Sequence, residues 1–187
     1  MGHEGDQPGL PGEFRAIMVK RLSPAEMNDL IVIQEGNLAS DPDSFAFQLA
    51  LDMTRKNWEK RFGMKRIPLS YEGVRPEDVE KLLGSSGLET LRKISGIINV
   101  AAVEGKWPLE ALGVYRQIDP EIEDMKNVLV VLRLRTSFDE ADKILKSFYP
   151  EIQNLADSLS DGDRSVCNRI NFDIEPVVPP EQNKNLG

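Results

Sequence analysis

The stretch from Asn127 to Arg135 reads Asn-Val-Leu-Val-Val-Leu-Arg-Leu-Arg, and its spacing decides the fold class. Val128, Val130, Leu132 and Leu134 recur at every second residue, with Arg133 and Arg135 between and after the last of them. A period of two sends alternate side chains to opposite faces of a strand, here with one dry face and a wet side toward the later end. Next, Ser137-Phe138-Asp139-Glu140 is a helix-capping sequence: the serine hydroxyl takes a free amide of the first turn and the glutamate reaches back to the cap. The helix it opens carries Ala141, Ile144, Leu145, Phe148, Ile152, Leu155 and Leu159 on one stripe. Pro150, which has no amide to donate, is expected to kink or split that helix after Tyr149. Asp161-Gly162 then turns the chain into a second alternating run, Val166 to Glu175, in which Val166, Ile170, Phe172 and Ile174 oppose Arg169, Asn171 and Asp173. Residues 127–175 therefore predict a β-α-β unit, with Cys167 on the polar side of its second strand and exposed.

Upstream the spacing is helical. Ser23-Pro24-Ala25-Glu26 is a capping box with proline at the first helical position, followed by Met27, Leu30 and Ile31 and a stop at Gly36. Asp41-Pro42 opens a longer helix to about Phe62, closed by Gly63. Its apolar residues fall on two neighbouring lines, Phe45, Leu49 and Met53 on one and Phe47, Leu51, Trp58 and Phe62 on the other, so a wide face is expected to be buried against more than one neighbour. Further helices are predicted over Pro76 to Leu83, Leu88 to Val103 with Ser86 and Glu89 as its capping box, and Trp107-Pro108 through Gln117. Gly96 argues against the second of these, because an internal glycine weakens a helix. A short run, Phe14 to Lys20, alternates as a strand that would join the later two. The predicted fold is α+β: a helix-rich N-terminal half, 22–118, packed on a small sheet that includes the β-α-β unit of 127–175. Residues 13–175 form one domain, between a disordered Gly/Pro-rich segment 1–12 and a loose tail 176–187.

Composition bounds the chemistry. At 187 residues one core can bury roughly 70% of the surface of the unfolded chain, so no staple is needed. The lone cysteine excludes an internal disulfide and a cysteine-built zinc site, and fits a reducing compartment, so the cytoplasm is the expected location. The lone histidine, His3, lies in the Gly/Pro-rich start, away from any rigid element that a histidine-based triad, dyad or zinc site requires. No catalytic residue, metal or cofactor is assigned; any reaction would rest on carboxylates, Lys, Arg, Tyr or hydroxyls. The longest apolar runs, such as Val128 to Leu132, fall far short of the roughly 20 residues of a membrane span, so no membrane is expected.

Two places could carry recognition. Within a chain of net charge −8, Asp52 to Arg66 holds Arg55, Lys56, Lys60, Arg61, Lys65 and Arg66 against only Asp52 and Glu59. Helical spacing gathers much of this run into a basic ridge beside Trp58, suited to an acidic partner, although Lys and Arg also commonly coat the wet face of an amphipathic helix. Arg133, Arg135 and Arg169 are expected on the polar face of the C-terminal sheet, where guanidinium forks bind carboxylate or phosphate, or pair across strands with Asp173 and Glu175. The leading expectation is a non-catalytic interaction, assembly or accessory protein that docks on an acidic protein surface through Arg55, Lys56, Trp58, Lys60, Arg61, Lys65 and Arg66. An RNA- or nucleotide-binding module using the same ridge or the sheet arginines comes second, disfavoured because an acidic chain repels a long polyanion. A carboxylate- and Arg-based small-molecule enzyme comes third.

Overall fold

The structure, a computed structural model, describes residues 22–84, 86–117, 127–158 and 161–177, the side chains of 161–163 excepted. The expected strand Phe14 to Lys20, the segment 1–12 and the tail from 178 onward lie outside the described residues. The chain is α+β, as the change of period implies. Helix α1 is Pro24–Ser40, α2 is Phe45–Phe62, α3 is Pro76–Leu83, α4 is Gly87–Gly105, α5 is Phe138–Ser158 and α6 is Asp161–Cys167. The strands are β1 Leu69–Tyr71, β2 Leu109–Arg116, β3 Val128–Leu134 and β4 Ile170–Pro176. They form one sheet in the order β1-β2-β3-β4. Strand β1 runs parallel to β2, β2 antiparallel to β3, and β3 parallel to β4. Parallel neighbours need a crossover, and helical segments provide both: α3 and α4 between β1 and β2, α5 and α6 between β3 and β4.

Register gathers the apolar side chains on one face of the sheet. Leu69 lies beside Leu112, Leu112 beside Leu132 and Leu132 beside Ile174; one step along, Tyr71, Val114, Val130 and Phe172 form a second row. Leu91, Ile94, Ile98 and Ala102 of α4 and Ala141, Ile144, Phe148 and Ile152 of α5 close over that face. Phe148 meets Phe172 edge-on at 5.3 Å between ring centres, a favourable aromatic geometry. A second, smaller core lies outside α4: Met27 and Ile31 of α1 and Leu51 and Trp58 of α2, with Val100 and Val103 of α4 against them. Helix α4 is thus the middle of three layers, between the sheet and the α1–α2 hairpin. Gly96 is what lets the hairpin come close. A Cβ there would lie 2.2 Å from Nδ2 of the buried Asn28 on α1, so the residue that weakens the helix locally permits its tertiary packing.

Several elements depart from expectation. Residues 109–116 form a strand rather than a helix. The pairing of β2 with β3 shifts register between Leu109 and Ala111, and this bulge spaces the buried residues 109, 112 and 114 by three and then two, imitating the start of a helical stripe. Helix α1 runs through Gly36 to Ser40, where the Ser40 hydroxyl donates to the Gly36 carbonyl at 3.1 Å. Helix α2 is capped by Ser44, whose hydroxyl accepts from the Phe47 amide, rather than by Asp41. Ser86 makes no side-chain cap on α4. Helix α5 continues past Pro150, which is exposed. Cys167 ends α6 and is buried, and the last strand begins at Ile170 rather than Val166. The capping box at Ser23 and Glu26, the left-handed Gly63 at the end of α2 (φ 70°) and the alternating burial of β3 follow the expected pattern.

Candidate functional site

The basic ridge resolves into two unlike surfaces of α2. Turned inward are Leu51, Thr54 and Trp58, with Trp58 fully buried and set edge-on to Phe62 at 4.9 Å. Trp58 therefore belongs to the hairpin core and is not available on the ridge. Its Nε1 has no hydrogen-bond partner among the described residues. Turned outward are Phe45, Leu49 and Met53, which are 78%, 47% and 57% exposed. The wide apolar face read from the sequence is thus only half covered, since the hairpin packs on the Leu51–Trp58 line alone. At helical spacing Lys56 and Lys60 extend the outer row toward the C-terminal end of α2, and both are exposed. Lys65 is exposed just beyond the helix, and the Arg61 guanidinium sits 5.7 Å from the ring centre of Phe62.

Arg55 and Arg66, the remaining members of the ridge, turn toward α1. Nη2 of Arg55 and Nη1 of Arg66 both donate to Oε1 of Glu35, at 2.9 and 2.7 Å. Nε of Arg66 donates to Oδ1 of Asn28 at 3.2 Å. The side chain of Arg66 is only 3% exposed. Burial presses its pKa down from the ordinary value, and the charge of Glu35 opposes that shift. Glu35, Arg55 and Arg66 line a cleft of about 250 Å³ between the hairpin and the body of the protein, together with Tyr71 at the end of β1 and Leu88, Arg92 and Ser95 of α4. Burial raises the pKa of the Tyr71 hydroxyl, and Arg92 acts in the opposite direction. Sequence spacing did not point to Arg92: it lies between the core residue Leu91 and Lys93, outside the basic run of α2, and the packing of α4 places it on the same cleft as Arg55 and Arg66.

The sheet arginines are engaged with neighbours in the chain. Arg133 forms an ion pair with Glu72 through Nη1 at 2.8 Å and with Glu175 through Nε at 2.7 Å. Its Nη2 also donates to the Tyr115 hydroxyl at 2.5 Å, and that hydroxyl donates in turn to Glu72. The Tyr115 hydrogen bond, and after it Arg133, hold the Glu72 carboxyl below its ordinary pKa, and the two carboxylates push that of Arg133 upward. Arg135 pairs with Glu110. Arg169 stands just before β4 rather than on the sheet face with Arg133. Its Nη1 and Nη2 donate to the Leu82 and Leu83 carbonyls at the end of α3, each at 2.8 Å, which satisfies acceptors a helix leaves open. Cross-strand pairing is realised with Glu175, whereas the Asp173 carboxylate accepts from the Ile174 amide.

No group of three or more His, Cys, Asp or Glu side chains able to hold a metal ion occurs among the described residues, and no described helix is long and apolar enough to cross a membrane. Comparison of the chain with protein-family models, with curated proteins and with solved structures finds no match in any of the three.

Proposed function

We propose that the protein acts by docking on another protein, as an assembly, accessory or regulatory factor, and that the outer row of α2 is the docking face. The observation that carries this reading is the contiguous exposure of Phe45, Leu49 and Met53 on one line of a helix that packs on the body through Leu51, Thr54 and Trp58. Single exposed apolar residues are ordinary, but three stacked at i, i+4 and i+8 form a ridge that water covers at a cost. The partner that fits is an apolar protein groove or helix with acidic flanks, because Lys56 and Lys60 continue the row and Lys65 lies beyond it. A second copy of the chain is a poorer fit, since each copy carries a net charge of −8. An anionic lipid surface or a nucleic acid would be repelled by Asp41, Asp43, Asp52 and Glu59, which accompany the row along the hairpin.

A photo-crosslinking residue at position 53, with one at the exposed Gln153 of α5 as control, isolates what touches the row. The recovered protein is then titrated against wild type, the double variant Leu49→Ser/Met53→Ser and Lys60→Glu. The reading expects a discrete partner at position 53 alone, binding weakened about a hundredfold in the double variant and less in Lys60→Glu. Crosslinks only to a second copy, retention on anionic vesicles in place of a protein, or equal affinity of wild type and double variant would each refute it.

A further inference from the structure

We propose that the cleft between the α1–α2 hairpin and α4 is a binding site for a small phosphate monoester, held by Arg55, Arg66 and Arg92. Three guanidiniums and one carboxylate, Glu35, line it, so the wall carries a surplus of two positive charges. That surplus matches a phosphate monoester, which bears about −1.5 to −2 near neutral pH, better than a carboxylate of single charge. The three arginines are not equivalent. Arg66 is nearly buried and its orientation is fixed, since Nε donates to Asn28 and Nη1 and Nη2 donate to Glu35, which leaves only its remaining N–H groups for a ligand. Arg55 shares the same Glu35 oxygen and is partly exposed. Arg92 makes no hydrogen bond or ion pair with another described residue, although it lines the same cleft. A dianion seated among the three guanidiniums would accept forked hydrogen bonds and offset their surplus positive charge.

The geometry also bears on the rest of the ligand. At about 250 Å³ the cleft lies just below the range of cavities that hold drug-sized molecules, so it admits a phosphate and a small body. Leu88 and Arg92 line this cleft and also a larger groove of about 880 Å³ between α1 and α4, whose apolar wall includes Val32, Ile33 and Ile97. A phosphate held by the arginines would direct an apolar or cyclic ester group past Leu88 into that groove. The cleft joins α1, the end of α2 and α4, so occupancy ties the hairpin to the body and should stabilise the folded chain. This site is on the inner side of the hairpin and does not depend on the outer row of α2.

The test is calorimetric titration of the full chain with inorganic phosphate, phenyl phosphate and benzoate at matched ionic strength, with sodium chloride as baseline. The proposal predicts saturable heat with phosphate, tighter binding of phenyl phosphate, and benzoate at least tenfold weaker than phenyl phosphate. Arg92→Gln should weaken phenyl phosphate about tenfold or more while keeping the unfolding midpoint of the ligand-free protein, because Arg92 has no hydrogen-bond or ion-pair partner among the described residues. Arg55→Gln should weaken it less. Conversely, Glu35→Gln removes the competing carboxylate and should tighten binding wherever the variant is folded, an effect a purely structural ion pair would not produce. Phosphate heats no larger than those of chloride, benzoate binding as tightly as phenyl phosphate, or an Arg92→Gln variant that binds like wild type would overturn the proposal.

Discussion

Helix α2 presents two apolar lines of similar composition, and the molecule uses them differently. Leu51 and Trp58 on the inner line are buried against α1 and α4, whereas Phe45, Leu49 and Met53 on the outer line are exposed and join neither core. The inner line holds the hairpin on the body, so its side chains are explained by stability. The outer line belongs to neither core, and its side chains call for a different explanation. Apolar character alone therefore does not separate structure from recognition; what separates them is whether a neighbour exists.

Substitution can sharpen this contrast. The largest effect is expected at Trp58→Ala, which empties the centre of the smaller core and should cost roughly 3–5 kcal/mol in denaturant unfolding. Glu35→Ala comes next. It leaves the nearly buried Arg66 without its carboxylate and should destabilise by about 3 kcal/mol by the same measurement. Gly96→Ala drives a methyl into Asn28, which in turn positions Arg66, so a loss of about 1–3 kcal/mol is expected, with weaker phosphate binding as its companion. On the outer line, Leu49→Ser/Met53→Ser should leave the unfolding midpoint nearly unchanged while abolishing docking. If the double variant were destabilised as strongly as Trp58→Ala, the division between the two lines would fail.

The smallest effect lies on the sheet, where Arg133 has two carboxylate partners rather than the reverse ratio found around Glu35. Glu72 is held below its ordinary carboxyl pKa of 4.5 by Tyr115 and then Arg133. A carboxyl depressed in the folded state stabilises the fold above its unfolded pKa, and that contribution fades as the pH falls through the depressed folded value. Carboxyl chemical shifts should accordingly show Glu72 titrating below 4.5, and Arg133→Ala or Tyr115→Phe moving it upward. An unaltered titration in both variants would remove this network from the account.

Much of the fold was legible because its signals are local. Strand β3 declares itself by alternation, α1 by its Ser23–Glu26 box and the end of α2 by Gly63. Strand β2 was hidden because a bulge between Leu109 and Ala111 is a property of strand pairing, not of either strand alone. The outer row was legible as a line, but periodicity cannot say which of two adjacent lines finds a neighbour. The cleft was legible only in fragments. Arg55 and Arg66 stood out as members of a charge run, yet their turn toward Glu35 depends on α1, and the arrival of Arg92 depends on α4, contacts that no spacing within a helix encodes.

The most direct test of the docking face is oxidation of methionine by dilute peroxide, followed by mass spectrometry of the tagged chain in native extract and after purification. Exposed thioethers oxidise readily, so Met53 reports coverage of the outer row while the fully buried Met27 serves as an internal control. The account predicts that Met53 oxidises several-fold more slowly in extract than in the purified chain, with Met27 slow in both. Equal rates for Met53 in the two settings, with the chain intact, would contradict it.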